Sequence, residues 1–207
     1  METPSGATAK PDHQRPERPE FWDHRFGQGT TPWDAGGVPQ DLRAWVRTRG
    51  TGSPPRVLIP GCGSAHEAAF LDALGWPVVA LDFSAKAIET ARRNLGDWKG
   101  RLAHDDFFAH EGEAPYDLIY ERAFLCALPR RLWAGYGERT ARLLAPGGIL
   151  AGYFFFSDEP KGPPFGIGRE ELDALLAPHF DLVEEREVAD SLPVFAGRER
   201  WMVWKRR

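Results

Sequence analysis

Cysteine and methionine are scarce in this 207-residue chain, and it has no net basic charge and no long apolar run. Its two cysteines, Cys62 and Cys126, fall in no Cys-x-x-Cys or zinc spacing. No disulfide framework and no metal site are expected, and the chain suits a reducing cytoplasm. The six histidines have no metal-ligand spacing either. No apolar stretch approaches the roughly 20 residues that cross a bilayer, and the N-terminus has no apolar core of a secretory signal. The formal net charge is -4. That disfavours a nucleic-acid backbone as partner, because neutralising phosphates needs a basic surface. The one basic cluster, Lys205-Arg206-Arg207, reads as a solvated tail. A single small-molecule-binding domain, acting as a monomer without membrane or nucleic acid, is the expectation.

The organisation that remains is alternating. Residues 1 to 20 hold four prolines and no aromatic residue, and are expected to form a flexible tail. Aromatic residues begin at Phe21-Trp22 and recur at Phe26 and Trp33. A helix is expected over Asp41 to Arg49, then a linker at Gly50 to Pro55. Val57-Leu58-Ile59 reads as a buried parallel strand, Ser64 to Leu74 as a helix, and Pro77 to Asp82 as a second strand. Ser84 is a good N-cap for a helix over Ala85 to Asn94. Arg101 to His104 is a weak third strand and Asp117 to Glu121 a fourth. Pro129 to Leu144 is helical, Ile149 to Phe156 a fifth strand, and Arg169 to Ala177 a short helix. Phe180 to Val188 and Arg200 to Lys205 lack a helix between them and suggest an antiparallel edge hairpin. The alternation predicts an α/β fold: a mostly parallel sheet with helices on both faces.

In such a sheet ligands bind at the carboxyl ends of the strands. Pro60-Gly61-Cys62-Gly63 sits there, and Gly61 and Gly63 allow a sharp turn and close ligand approach. The third glycine of G-x-G-x-x-G is absent, with His66 in its place, which weakens a dinucleotide reading; an ordinary tight turn stays open. Asp82 ends the second strand, 21 residues after Gly61, where a carboxylate can accept from two ribose hydroxyls. With Ser84 available as the helix cap, Asp82 is free for a ligand. Asp106 and Phe107 follow the third strand and suit an adenine ring, whereas Asp105 reads as a solvated turn. Glu121-Arg122 follows the fourth strand and faces the place of an acceptor. Arg122 offers a rigid fork of donors there, although a surface ion pair also fits. Cys62 reads as a small buried filler.

Several segments occur in a telling order: Phe21-Trp22, Thr30-Thr31-Pro32-Trp33-Asp34, Val57 to Gly63, Ala80-Leu81-Asp82-Phe83-Ser84, Arg122-Ala123, Ala127-Leu128-Pro129 and Gly162-Pro163-Pro164-Phe165. Together they resemble the thiopurine S-methyltransferase family, including the plant-type halide and thiol methyltransferases. The resemblance implies a Rossmann-like class I methyltransferase with strand order 3-2-1-4-5-7-6, strand 7 antiparallel. It implies S-adenosyl-L-methionine as cofactor and S-adenosyl-L-homocysteine as product. Trp22, Phe26, Trp33, Gly61, Gly63, Asp82, Phe83, Asp106, Phe107 and Glu121 then contact the cofactor, and Arg122 is the catalytic group. Trp33-Asp34 resembles the halide and thiol branch, while Arg122 resembles the thiopurine branch.

The implied reaction is methyl transfer to a small nucleophile, a thiol or other sulfur acceptor or a halide ion. Residues 21 to 207 are expected as one methyltransferase domain and residues 21 to 36 as an aromatic lid, so that removing residues 1 to 18 should spare cofactor binding. The competing readings are a nicotinamide-dependent oxidoreductase and a non-catalytic cofactor-binding module.

Overall fold

The computed structural model describes residues 10–49, 52–195 and 197–207. Residues 1–9 of the expected tail, and positions 50 and 51 of the expected linker, lie outside the described residues. Seven strands form one sheet in the order β3-β2-β1-β4-β5-β7-β6. Their spans are β1 Val57–Pro60, β2 Val78–Asp82, β3 Arg101–His104, β4 Tyr116–Arg122, β5 Leu144–Phe155, β6 Phe180–Glu187 and β7 Glu199–Arg206. β1 to β5 pair in parallel. β7 pairs antiparallel with both β5 and β6. The expected order and edge hairpin are both present.

The helices are α1 Pro19–Gly27, α2 Gln40–Arg47, α3 His66–Ala73, α4 Ala85–Leu95, α5 Trp133–Leu143 and α6 Arg169–Leu176. They cover both faces of the sheet, so the central strands are buried on both sides. Val57, Ile59, Leu118 and Tyr120 join a cluster with Leu42, Trp45 and Leu71 of α2 and α3. Leu58 and Ile119, one residue out of step, join the opposite cluster with Tyr136 of α5 and Leu172 of α6. This two-residue alternation explains why β1 and β2 read as unbroken apolar runs. No helix among the described residues is long and apolar enough to cross a membrane.

Among the boundaries that differ from the sequence expectation, α5 starts at Trp133 after a 3-10 turn over Arg130–Leu132 rather than at Pro129. α3 starts at His66 rather than Ser64, because Ala65 takes a left-handed φ of 59° and cannot sit within a helix. β5 starts at Leu144, with Pro146-Gly147-Gly148 looped out between the Tyr116↔Leu144 and Leu118↔Ile149 pairs. The expected tail is also ordered over residues 10 to 20. A single 3-10 turn spans Asp12–Gln14, and Pro19 occupies the first turn of α1, where its missing N–H costs nothing. The Trp22 indole donates to the Pro16 carbonyl at 2.8 Å. Glu17 binds Arg131 at 2.9 Å. These bonds hold a proline-rich segment that buries little apolar surface of its own.

Candidate active site

The carboxyl ends of β1, β2 and β4 open onto one cavity of about 160 Å³. Gly61 and Gly63 turn the chain after β1 with φ of 58° and 51°, a region open to glycine at no steric cost. A Cβ on Gly61 would stand 2.5 Å from Phe124 Cδ2. The loop is pinned from β2: Cys62 N donates to Leu81 O at 2.9 Å, and Gly63 N donates to Asp82 Oδ2 at 3.1 Å.

Asp82 is less free than the sequence suggested. Ser84 does cap α4, accepting from Ala87 N at 3.1 Å. The Asp82 carboxylate nonetheless accepts a second amide, from Ser84 N at 2.9 Å. It thus ties the glycine loop to the start of α4. A carboxylate has about four acceptor sites, so two remain unused, and Asp82 lines the cavity. Burial pushes the Asp82 carboxyl up to about 6, against the pull of the two amide bonds.

Phe83, Asp106 and Phe107 line the same cavity. Asp106 Oδ1 accepts from Phe108 N at 2.9 Å and shapes the turn after β3. Phe107 is buried, with its ring 5.1 Å from that of Phe124. Asp105 also lines the cavity and stands 2.9 Å from His110 Nδ1, with its side chain still partly exposed.

Trp22, Phe26 and Trp33 come together as one aromatic wall. Trp33 meets Trp22 edge-on at 5.4 Å and Phe26 at 6.0 Å. Arg25, not singled out from sequence, lies over the Phe21 ring at 4.7 Å and lines the cavity. Two acids dock this segment on the sheet. Asp23 accepts from Ser84 Oγ at 2.7 Å and from Lys86 N at 3.0 Å. Asp34 accepts from Ser64 Oγ and faces His66 Nε2 at 3.3 Å. A helix period would not have revealed either acid, since their partners lie far along the chain.

Glu121 and Arg122 part company. Glu121 is buried and away from both cavities that Arg122 faces. It accepts from Phe124 N at 3.1 Å, Leu125 N at 3.0 Å and the Tyr136 hydroxyl at 3.1 Å. Strand alternation sends neighbouring side chains to opposite faces, so Glu121 braces the loop after β4 and lines neither cavity. Arg122 Cζ lies 4.6 Å above the Tyr153 ring. Its Nη1 is buried with no hydrogen-bond partner among the described residues.

Beyond Arg122 the cavity is apolar, walled by Cys126, Leu128, Leu132, Pro164, Val194 and Phe195. Burial pushes the thiols of both Cys62 and Cys126 well above their ordinary range, which makes them poor nucleophiles. Among the described residues no group of three His, Cys, Asp or Glu is placed to hold a metal ion.

The sequence model of the thiopurine S-methyltransferase family matches residues 17–207. The chain belongs to the thiopurine S-methyltransferase family. It is 32% identical over 165 residues to the probable thiol methyltransferase 2 of Arabidopsis thaliana, covering 76% of this chain and 71% of that one. It is 30% identical to the thiopurine S-methyltransferase of Legionella pneumophila (strain Corby), covering 73% of this chain and 77% of the relative. Its fold matches the Burkholderia thailandensis 1,6-didemethyltoxoflavin-N1-methyltransferase with a TM-score of 0.74 at 21% identity, over 98% of this chain and 93% of that one.

This family member is an S-adenosylmethionine-dependent methyltransferase. The oxidoreductase and non-catalytic readings give way to that assignment. The site fits the cofactor on its own terms: a buried carboxylate keeps two acceptor sites open, the loop beside it has no side chain to block approach, and a buried guanidinium nitrogen lacks a partner.

Proposed function

We propose that this enzyme methylates a thiolate carried on an apolar body. The carrying observation is the apolar half of the cavity beyond Arg122, from Cys126 and Leu128 to Val194 and Phe195. Such a wall favours a hydrophobic carrier by roughly 25 cal/mol per Å² of apolar surface covered, and offers a bare halide ion no polar partner in return for its lost water. The relatives named as thiol and thiopurine methyltransferases support the same class.

S-adenosylmethionine supplies a methyl group already activated on a positive sulfur. The chain's task is to hold and align. Asp82 accepts from the ribose hydroxyls, with Gly61 and Gly63 giving close approach. Phe83, Asp106 and Phe107 take the purine, and Trp22, Phe26 and Trp33 close over it as a lid. Alignment of this kind is worth up to roughly 7–11 kcal/mol. The aromatic faces favour positive charge by about 1 kcal/mol or more when desolvated. Arg122 stands between the cofactor and acceptor regions and stabilises negative charge there. No general base is needed: a thiol with a pKa near ~8.5 is about one-quarter thiolate at pH 8.

A methyl-transfer screen with iodide, hydrogen sulfide, thiocyanate and a thiopurine tests the reading, with products followed by gas and liquid chromatography. The thiopurine should be turned over with the highest kcat/KM. Preference for iodide over every sulfur acceptor would overturn it.

A further inference from the structure

The apolar half of the cavity beyond Arg122 has a rim and a floor. Leu128, Leu132, Pro164 and Val194 keep part of their surface exposed and form the rim. Cys126 and Phe195 line the same half but are only 7% and 2% exposed. The floor is therefore one small thiol and one large ring. The whole cavity is about 160 Å³ and must take the nucleoside donor as well, so little space is left for the body of an acceptor.

Phe195 is poorly placed to swing aside and enlarge that space. Its ring meets the Phe155 ring of β5 at 5.6 Å, and Arg198 Cζ lies over Phe155 at 4.9 Å. Two turns fix its backbone: Phe195 N donates to Leu192 O at 2.9 Å, and Arg198 N donates to Phe195 O at 3.0 Å. The loop between β6 and β7 that carries it is fastened at both ends. Before Phe195, the Ser191 hydroxyl donates to the buried Glu199 carboxylate at 2.6 Å. Asp190 Oδ2 also accepts from Gln40 N of α2 at 2.8 Å. After Phe195, Arg198 O accepts from Phe156 N at 2.7 Å. A ring packed and fastened in this way yields little to an extra group pressed against it.

We propose that Phe195 sets the upper size limit of the methyl acceptor. It admits a sulfur on a compact ring system and turns away one whose body extends further. This rests on the reading of an apolar thiolate acceptor and deepens it. Apolar area alone would favour the longer body, because more surface leaves water. A fixed ring at the floor reverses that order, since the longer body cannot seat with its sulfur beside the methyl group. Phe195 thus acts on acceptor choice and not on the activation of the sulfur.

Methyl-transfer rates with thiophenol and with biphenyl-4-thiol, at saturating S-adenosylmethionine, test this. In the unaltered protein kcat/KM for thiophenol should exceed that for biphenyl-4-thiol at least about tenfold, as a packed pocket discriminates by size. Phe195→Ala should shift the ratio of the two towards biphenyl-4-thiol at least about tenfold. Phe195→Leu opens a smaller gap, disturbs the core less and should shift the ratio in the same direction by a smaller factor. A ring with a purely structural role would lower both rates together and leave their ratio alone. An unchanged ratio in whichever variant folds would therefore overturn the proposal. Equal or better use of biphenyl-4-thiol by the unaltered protein would overturn it even if neither variant folds. Methylation of neither thiol, by unaltered protein that binds S-adenosylhomocysteine in calorimetry, would instead sink the apolar thiolate reading and the size limit with it.

Discussion

Asp23 on α1 and Ser84 at the start of α4 are 61 residues apart in sequence, yet the Ser84 hydroxyl donates to the Asp23 carboxylate at 2.7 Å. The same carboxylate accepts from Lys86 N. The N-terminal aromatic segment is thereby fixed to the helix that follows Asp82. Changes in one should be felt by the other.

Asp23→Ala removes both bonds. A loss of about 1–3 kcal/mol in stability is expected from two hydrogen bonds at a partly buried site. S-adenosylhomocysteine affinity should fall as well, because Trp22 and Phe26 share α1 with Asp23. Thermal melting and calorimetry on the same samples check both effects. Unchanged affinity with lowered stability would show that the segment does not act on the cofactor.

Truncation separates the lid from what precedes it. Removing residues 1–36 deletes the whole aromatic wall and should abolish S-adenosylhomocysteine binding. Removing residues 1–18 deletes Pro16, which accepts from the Trp22 indole, and Glu17, which binds Arg131. That shorter truncation should now weaken binding rather than spare it. Full affinity after the longer deletion, measured by calorimetry, would dismiss the lid.

The strands, the glycine loop and Asp82 were legible from period and punctuation, whereas the strand order came from the family resemblance. Buried parallel strands must be apolar throughout, and a loop that turns sharply must use glycine. The roles of Asp23 and Asp34 were not legible. Each depends on a partner brought near by folding, and an acid in a helix looks alike whether it meets solvent or a cavity. The placement of Glu121 was hidden for the same reason. Its neighbour Arg122 faces the cavities, and sequence adjacency hid the fact that a strand sends the two side chains to opposite sides.

Gly61 tests the close approach at the loop. Gly61→Ala would place a Cβ 2.5 Å from the Phe124 ring, which itself packs on Phe107 and Tyr136. The left-handed φ adds a further cost on the order of 1 kcal/mol for a residue with a Cβ. A destabilisation of about 1–3 kcal/mol is expected, with S-adenosylhomocysteine affinity reduced at least about tenfold. Denaturant unfolding and calorimetry read the two effects.

Asp82 predicts how binding depends on pH. Its carboxyl is raised to about 6 by burial, and ribose hydroxyls donate best to the ionised form. S-adenosylhomocysteine affinity should rise with pH through about 6 and level off above it. Asp82→Asn should bind more weakly, by about 10- to 100-fold for lost bonds to a charge, and should show no rise near that pH. A wild-type profile that is flat from pH 5 to 7 would remove Asp82 from the ribose.

Glu121 predicts a stability profile of its own. Burial raises its carboxyl from 4.5 to about 7, despite bonds from Phe124 N, Leu125 N and Tyr136. A raised folded-state pKa means the native state binds the proton more tightly than the unfolded chain. The stabilisation is therefore fully present below pH 4.5 and is lost as pH rises through about 7. The tighter proton binding is worth roughly 3 kcal/mol. Glu121→Gln should be less stable at every pH, because its NH2 group faces a backbone N–H that Glu121 had accepted from. Its stability should vary less between pH 5 and 8 than that of the unaltered protein. Denaturant unfolding across that range measures both slopes, and parallel slopes would mean that Glu121 does not titrate there.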